Sequence, residues 1–228
     1  MAEEVDIKEL TDPATPVEHR QKILRGLIGG IPGIGSIITE YLPDIRSKKM
    51  TEFIIQLSEE LEELKDLLKE DYLKREDVIS IVEKSFKSLY ETYDVNKISA
   101  LKNALIRTII DTEIDVDRKD FYINLLNSLS PFHFRILNVF YNTEEYLKSK
   151  NITVSTNVTG GRSSFLQEAL PSMTEDEIKL TISDLVSKGL AQNISLGALQ
   201  STSGTGALKG FETKFGREFM NFFSKYKK

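Results

Sequence analysis

The chain has no cysteine, so neither a disulfide framework nor a thiolate metal site is available to it. Its only histidines are His19 and His133, and no H-E-x-x-H pattern or carboxylate cluster at metal-ligand spacing accompanies them. No metal or other cofactor is therefore expected, and both imidazoles read as neutral capping or packing groups. Long apolar runs are also missing: the uncharged stretch 26–39 falls short of the roughly 20 residues that a membrane-spanning helix needs. The first residues, MAEEVDIKEL, are acidic and show no apolar run beside a basic leader, so no secretory signal is expected and the setting reads as cytoplasmic. Alternation of strand length does not occur before residue 190, which makes the first half all helix.

What is present is enough chain, 228 residues, for one large domain or two small ones. The net charge of -5 is unevenly spread, with 18 Lys+Arg against 26 Asp+Glu in residues 1–129 and 12 against 9 in residues 130–228. Such asymmetry suggests two units, and neither is basic enough for a strong nucleic-acid binder.

Residues 24–42, LRGLIGGIPGIGSIITEYL, are the least ordinary part of the sequence. Gly26, Gly29, Gly30, Gly33 and Gly35 each weaken a helix, and Pro32 removes a backbone donor, yet the segment is rich in isoleucine. It must be held by a protein core, a partner or a lipid interface. In the lipid reading, Leu24, Leu27, Ile28, Ile31, Ile34, Ile37 and Ile38 enter the acyl boundary. Arg20, Lys22 and Arg25 on one side, with Arg46, Lys48 and Lys49 on the other, meet anionic headgroups. Each such cation contributes on the order of 1 kcal/mol and each buried CH₂ about 0.8 kcal/mol, which gives reversible attachment. The competing reading is a buried corner between helices that glycine lets pack closely. Gly30, Gly33, Gly35 and Ser36 imitate a phosphate loop, but no strand precedes them and no lysine follows directly.

Residues 1–15 read as a loose tail, and helices are expected over 17–26 and 36–41. Phe53, Leu57, Leu61, Leu64 and Leu68 then recur at spacings of four, four, three and four, one seam along a long helix. Glu59, Glu60, Glu62 and Glu63 fall on its solvated face. Val78, Val82, Phe86 and Leu89 mark the next helix, Ile98, Leu101, Leu105 and Ile109 another, and Phe121, Leu125 and Leu129 a fourth. Residues 16–129 are thus expected to form a helical bundle.

From Ser130-Pro131 a helix is expected to run to about Lys150, with Phe134, Leu137, Phe140 and Tyr141 inward. A polar linker covers 151–164, and a short helix follows over 165–170. Thr174 and Glu177 form a capping box for a helix that stops at Gly189. A strand over 190–195, a Gly/Ser-rich tip over 197–206 and a second strand near Phe211 suggest a small β-hairpin. Thr213 then caps a helix carrying Phe215, Phe219, Met220, Phe222 and Phe223. This order, closed by T-x-x-G-x-x-F at Thr213, Gly216 and Phe219, resembles a winged-helix domain over residues 130–228. That resemblance implies a fold shared by DNA binders and protein-contact modules alike.

The helix that would read DNA carries Glu175, Asp176, Glu177 and Asp184 against Lys179 and Lys188, a balance that phosphates repel. The glycine spacing and flanking charge over 17–70 are similar to those of membrane-active helices at the front of prokaryotic and fungal cell-death effectors, including membrane effectors that accompany Argonaute-type defence proteins. Together these readings lead to a mainly α chain, an N-terminal helical bundle with a C-terminal winged helix. Catalysis is not expected. The leading expectation is a defence effector that binds an anionic membrane peripherally on activation, that holds a protein partner through the winged helix, and for which homo-oligomers fit the glycine pattern. A DNA-associated regulator or a protein adaptor are the alternatives.

Overall fold

The structure, a computed structural model, describes residues 48–154, 161–197 and 204–226. The expected tail 1–15 and the helices expected over 17–26 and 36–41 lie outside these residues. What is described is mainly helical and forms two compact units, one of residues 48–127 with 223–226, the other Ser128–Phe222.

In the first unit, α1 (Lys48–Glu63) buries Phe53, Ile54, Ile55, Leu57 and Leu61. The sequence seam predicts that this helix continues through Leu68, but it stops at Glu63 and gives way to a 3-10 turn at Lys65–Leu67, leaving Leu68 half-exposed. The reason is tertiary. The one-turn helix α2 (Glu70–Leu73) puts the fully buried Leu73 into the core, so the chain must turn before the seam is complete.

α3 (Glu76–Glu91) and α4 (Val95–Ile110) follow, and they pack on each other; α4 also receives α1. Asp94 starts α4 by accepting the Lys97 N–H at 2.9 Å. Leu101, Leu105 and Ile109 are fully buried there, as the spacing predicts. At roughly 1.5–3 kcal/mol for each fully buried aliphatic side chain, α4 is the axis on which this unit depends.

α5 (Val116–Ser128) forms where expected, but its inward face is rotated. Phe121 is 53% exposed, whereas Lys119, Tyr122, Ile123 and Leu126 face the core. Their i, i+3, i+4, i+7 spacing begins with a charged residue, which an apolar pattern passes over.

The second unit opens with α6 (Pro131–Tyr141) and α7 (Thr143–Lys150), which the sequence reading joins into one helix. Asn142 breaks it with φ -135° and ψ 41°, and α7 ends on Asn151 in the left-handed region at φ 52°. α8 (Arg162–Ala169) and α9 (Glu175–Ser187) come next. The capping box on α9 is present as expected: Thr174 N–H donates to Glu177 Oε2 at 2.7 Å and Glu177 N–H donates to Thr174 Oγ1 at 3.3 Å. α9 closes at Gly189, whose φ of 71° suits glycine.

The expected β-hairpin is not found: no strand is formed among the described residues. Residues 204–208 make a 3-10 helix, and one main-chain bond, Gln192 N–H to Phe211 C=O at 2.7 Å, stands where a ladder is predicted. The Gln192 amide adds only a side-chain bond to the Glu212 carbonyl at 2.8 Å. Beyond Gln192 the chain turns to α8 instead, where the Leu196 carbonyl accepts from Ser163 N–H at 3.1 Å. A segment divided between two neighbours cannot build a register with either.

α10 (Lys214–Phe222) completes the unit, and the Thr213-x-x-Gly216 pair has a visible purpose. Thr213 Oγ1 accepts from Gly216 N–H at 2.8 Å and donates to Gly189 C=O at 2.7 Å. Tyr141 OH donates to Leu190 C=O at 2.8 Å and accepts from Thr213 N–H at 3.0 Å. A Cβ on residue 216 would lie 1.8 Å from that hydroxyl, so only glycine admits the tyrosine.

Candidate functional site

Of the residues expected to meet lipid, Leu24, Leu27, Ile28, Ile31, Ile34, Ile37, Ile38, Arg20, Lys22, Arg25 and Arg46 lie outside the described residues. Lys48 and Lys49 fall in the first turn of α1. α1 lays its apolar face on the bundle, with Phe53 edge-on to Phe86 at 6.1 Å. Its polar edge is tied to α4 by Lys102, which pairs with Glu60 and also reaches Gln56 Oε1 at 3.3 Å. Glu60, expected on the solvated face, is thus half-buried in an ion pair, while Glu59, Glu62 and Glu63 are exposed. No helix among the described residues is long and apolar enough to cross a membrane.

Residues 223–226 lie against α4. Asn103 Nδ2 donates to the Phe223 carbonyl at 3.0 Å, Phe223 is buried, and the Arg107 guanidinium stacks 5.3 Å from the Tyr226 ring centre. A cavity of about 430 Å³ is lined by Glu60, Glu63 and Leu64 on one side and Lys225 and Tyr226 on the other. Among the described residues Arg107 Nε has no hydrogen-bond partner, and Arg107 Nη1 pairs with Asp111 Oδ2 at 3.9 Å.

A second feature of this unit is the fully buried Lys119. Its ammonium donates to Tyr72 OH at 2.6 Å, to the Thr108 carbonyl at 3.4 Å and to the Asp111 carbonyl. Two of these acceptors end α4, where the helix dipole favours a cation. Burial nevertheless pushes the Lys119 pKa down to about 8 and the Tyr72 hydroxyl up to about 12. Every acceptor near the ammonium is part of the fold, so the group ties α2, α4 and α5 together rather than presenting a nucleophile. The sequence shows it only as one lysine on a helix.

In the second unit a serine, a histidine and an aspartate meet. Ser130 N–H donates to His133 Nδ1 at 3.0 Å, and Ser130 Oγ lies 2.7 Å from the same nitrogen. With Nδ1 accepting, the proton is assigned to Nε2, which donates to Asp184 Oδ2 at 2.8 Å. Lys188 holds the same carboxylate at 2.5 and 2.6 Å. The hydrogen bonds from Lys188 and His133 hold Asp184 below the usual carboxylate range. Ser130 is the N-cap of α6 and its hydroxyl accepts the main-chain N–H of His133, so the trio reads as a capping tie from α6 to α9. It puts His133 in a capping and packing position.

The surface of this unit offers little to phosphate. It carries nine Lys+Arg and nine Asp+Glu. Lys179 pairs with Glu175 at 2.7 Å, Lys188 with Asp184, Arg217 with Glu212, and Lys209 with Glu144 at 3.8 Å. α9 exposes Glu175, Asp176 and Leu180, the last 74% accessible. A cleft of about 420 Å³ opens between the start of α7 and α10, with Phe140, which stacks on Phe211, in its lining. Glu144, Glu145 and Glu212 line it against Lys209 and Arg217, so it selects neither sign of charge. Among the described residues no group of three or more His, Cys, Asp or Glu side chains could hold a metal ion.

Comparison of the chain with protein-family models, with curated proteins and with solved structures gives no match.

Proposed function

We propose that this chain is a non-catalytic membrane-targeting effector, in which residues 24–42 engage anionic lipid and the second unit holds a protein partner. The observation that carries the reading is the uncharged, glycine-broken, isoleucine-rich stretch between two basic clusters, placed just before α1 in the chain. Alone it cannot form a stable helix in water, and lipid supplies both the apolar phase and the headgroup charge that its flanks match. The helical first unit supports a body on which such a segment is mounted.

The second unit is read as a winged-helix variant without a stranded wing. Helix order and the Thr213–Gly216–Tyr141 lock support this. Its charge balance and the ion pairs on its lysines and arginines favour a protein over a duplex as partner.

Vesicle flotation of the full chain tests the proposal. Anionic phosphatidylglycerol vesicles should carry it upward and neutral phosphatidylcholine vesicles should not. The combined charge reversal R20E, K22E and R25E should cut binding by about two orders of magnitude or more, from roughly 1 kcal/mol per cation lost. Equal behaviour of the reversed and unaltered chains on anionic vesicles would remove the membrane assignment.

A further inference from the structure

We infer that residues 192–196 form an unpaired, strand-like edge, along which the second unit receives an extended peptide of its protein partner. The inference rests on the reading of this unit as the holder of a partner, and it names the surface and the mode of contact.

First, the segment has the alternation of a strand without a strand neighbour. Asn193 and Ser195 are exposed, Ile194 and Leu196 are half-buried, and the Ile194 side chain sits against Gly210. Both ends are fixed, since Gln192 N–H donates to Phe211 C=O at 2.7 Å and Leu196 C=O accepts from Ser163 N–H at 3.1 Å. Main-chain groups two residues apart in a strand share a side. Those of Gln192, Ile194 and Leu196 therefore turn toward Phe211 and α8, and those of Asn193 and Ser195 turn away from them.

Second, the chain blocks its own ladder. An antiparallel register through Gln192 and Phe211 sets Lys209 opposite Ile194. The Lys209 carbonyl already accepts from Arg162 Nη1 at 2.7 Å, and Gly210 beside it lies at φ 92°, a conformation of bulges rather than of regular strand.

Third, the outer edge is open and unguarded. Among the described residues the main-chain groups of Asn193 and Ser195 take no hydrogen bond. Edges that must stay unpaired are commonly blunted by lysine, another charge or proline, and residues 190–197, LAQNISLG, contain none of these. The edge offers carbonyl acceptors as well as N–H donors. Phosphate groups only accept and leave those carbonyls unmatched, whereas the main chain of an extended peptide matches both.

Heptapeptides selected from a phage-displayed library on the full chain, then synthesised, are the probe. In hydrogen exchange the bound peptide should slow the amides of Asn193 and Ser195 by about tenfold or more and leave Gln192, already bonded, as it was. N-methylation of the peptide at alternate residues reads the geometry from the other side. One alternating set should weaken binding about tenfold and the other should not. Failure to select any peptide, or an equal loss from both sets, overturns the edge. Binding that leaves Asn193 and Ser195 unprotected discards the edge and keeps the partner-holding unit. Protection of the same amides by rising concentration of the chain alone overturns the peptide in favour of a second copy. Flotation on phosphatidylglycerol vesicles judges the lipid reading separately, since it involves neither residue.

Discussion

Replacing Lys119 with methionine tests whether a buried ammonium is held inside the bundle. The side chain is fully buried and donates to Tyr72 OH, Thr108 C=O and Asp111 C=O. Methionine fills nearly the same space but donates nothing. Thr108 C=O keeps the Tyr72 hydroxyl at 3.1 Å, while Asp111 C=O loses the lysine donor, which costs about 1–3 kcal/mol. At pH 7, K119M should be less stable by about that amount, the relief of ammonium desolvation offsetting part of the lost charge-assisted bonding.

The pH dependence is the sharper readout. Lys119 has a folded pKa of about 8, below the ordinary 10.5 that applies when unfolded. Below pH 8 both states carry the proton and the cost of burying it is fully present. Above pH 8 the folded chain sheds it first, so stability rises until the unfolded chain follows near 10.5. The whole shift corresponds to about 3 kcal/mol, of which about 2 kcal/mol is realised by pH 9.5. Tyr72, pushed up to about 12, stays protonated over this window. Urea unfolding at pH 7, 8 and 9.5 should show unaltered protein gaining stability relative to K119M as pH rises. Parallel pH profiles for the two proteins would refute the buried-cation argument.

Two further substitutions probe the second unit. G216A should cost about 2–3 kcal/mol, because a methyl there meets Tyr141 OH at 1.8 Å and Leu190 C=O at 2.9 Å, and a thermal melt checks it; full stability would show that the α10 lock is not tight. T174A should lower stability by about 1 kcal/mol by removing the acceptor for Glu177 N–H, measured in the same way, and a neutral result would mean that the capping box contributes nothing net.

Much of the helix inventory was legible because its causes are local. The Thr174 cap, the Gly189 stop and the apolar rows of α3 and α4 each depend on residues within one or two turns. Helix α5 was legible as an element but not in its orientation, since Lys119 occupies an inward position where hydrophobic spacing expects an apolar group. The single expected helix through 131–150 was misread for the same reason, because nothing about Asn142 in isolation requires a break. The strands failed to form because Gln192 and Leu196 found different partners, a choice made by residues far along the chain.

For the candidate site the division is similar. Sequence alone determined that residues 24–42 are uncharged, glycine-broken and flanked by cations, because composition sets what such a segment can and cannot do in water. Tertiary structure decided that Glu60 pairs with Lys102, that His133 reaches Asp184 across 51 positions, and that residues 223–226 settle on Asn103 and Arg107. Burial and pairing between distant residues depend on how the helices pack, and no local pattern records which faces will meet.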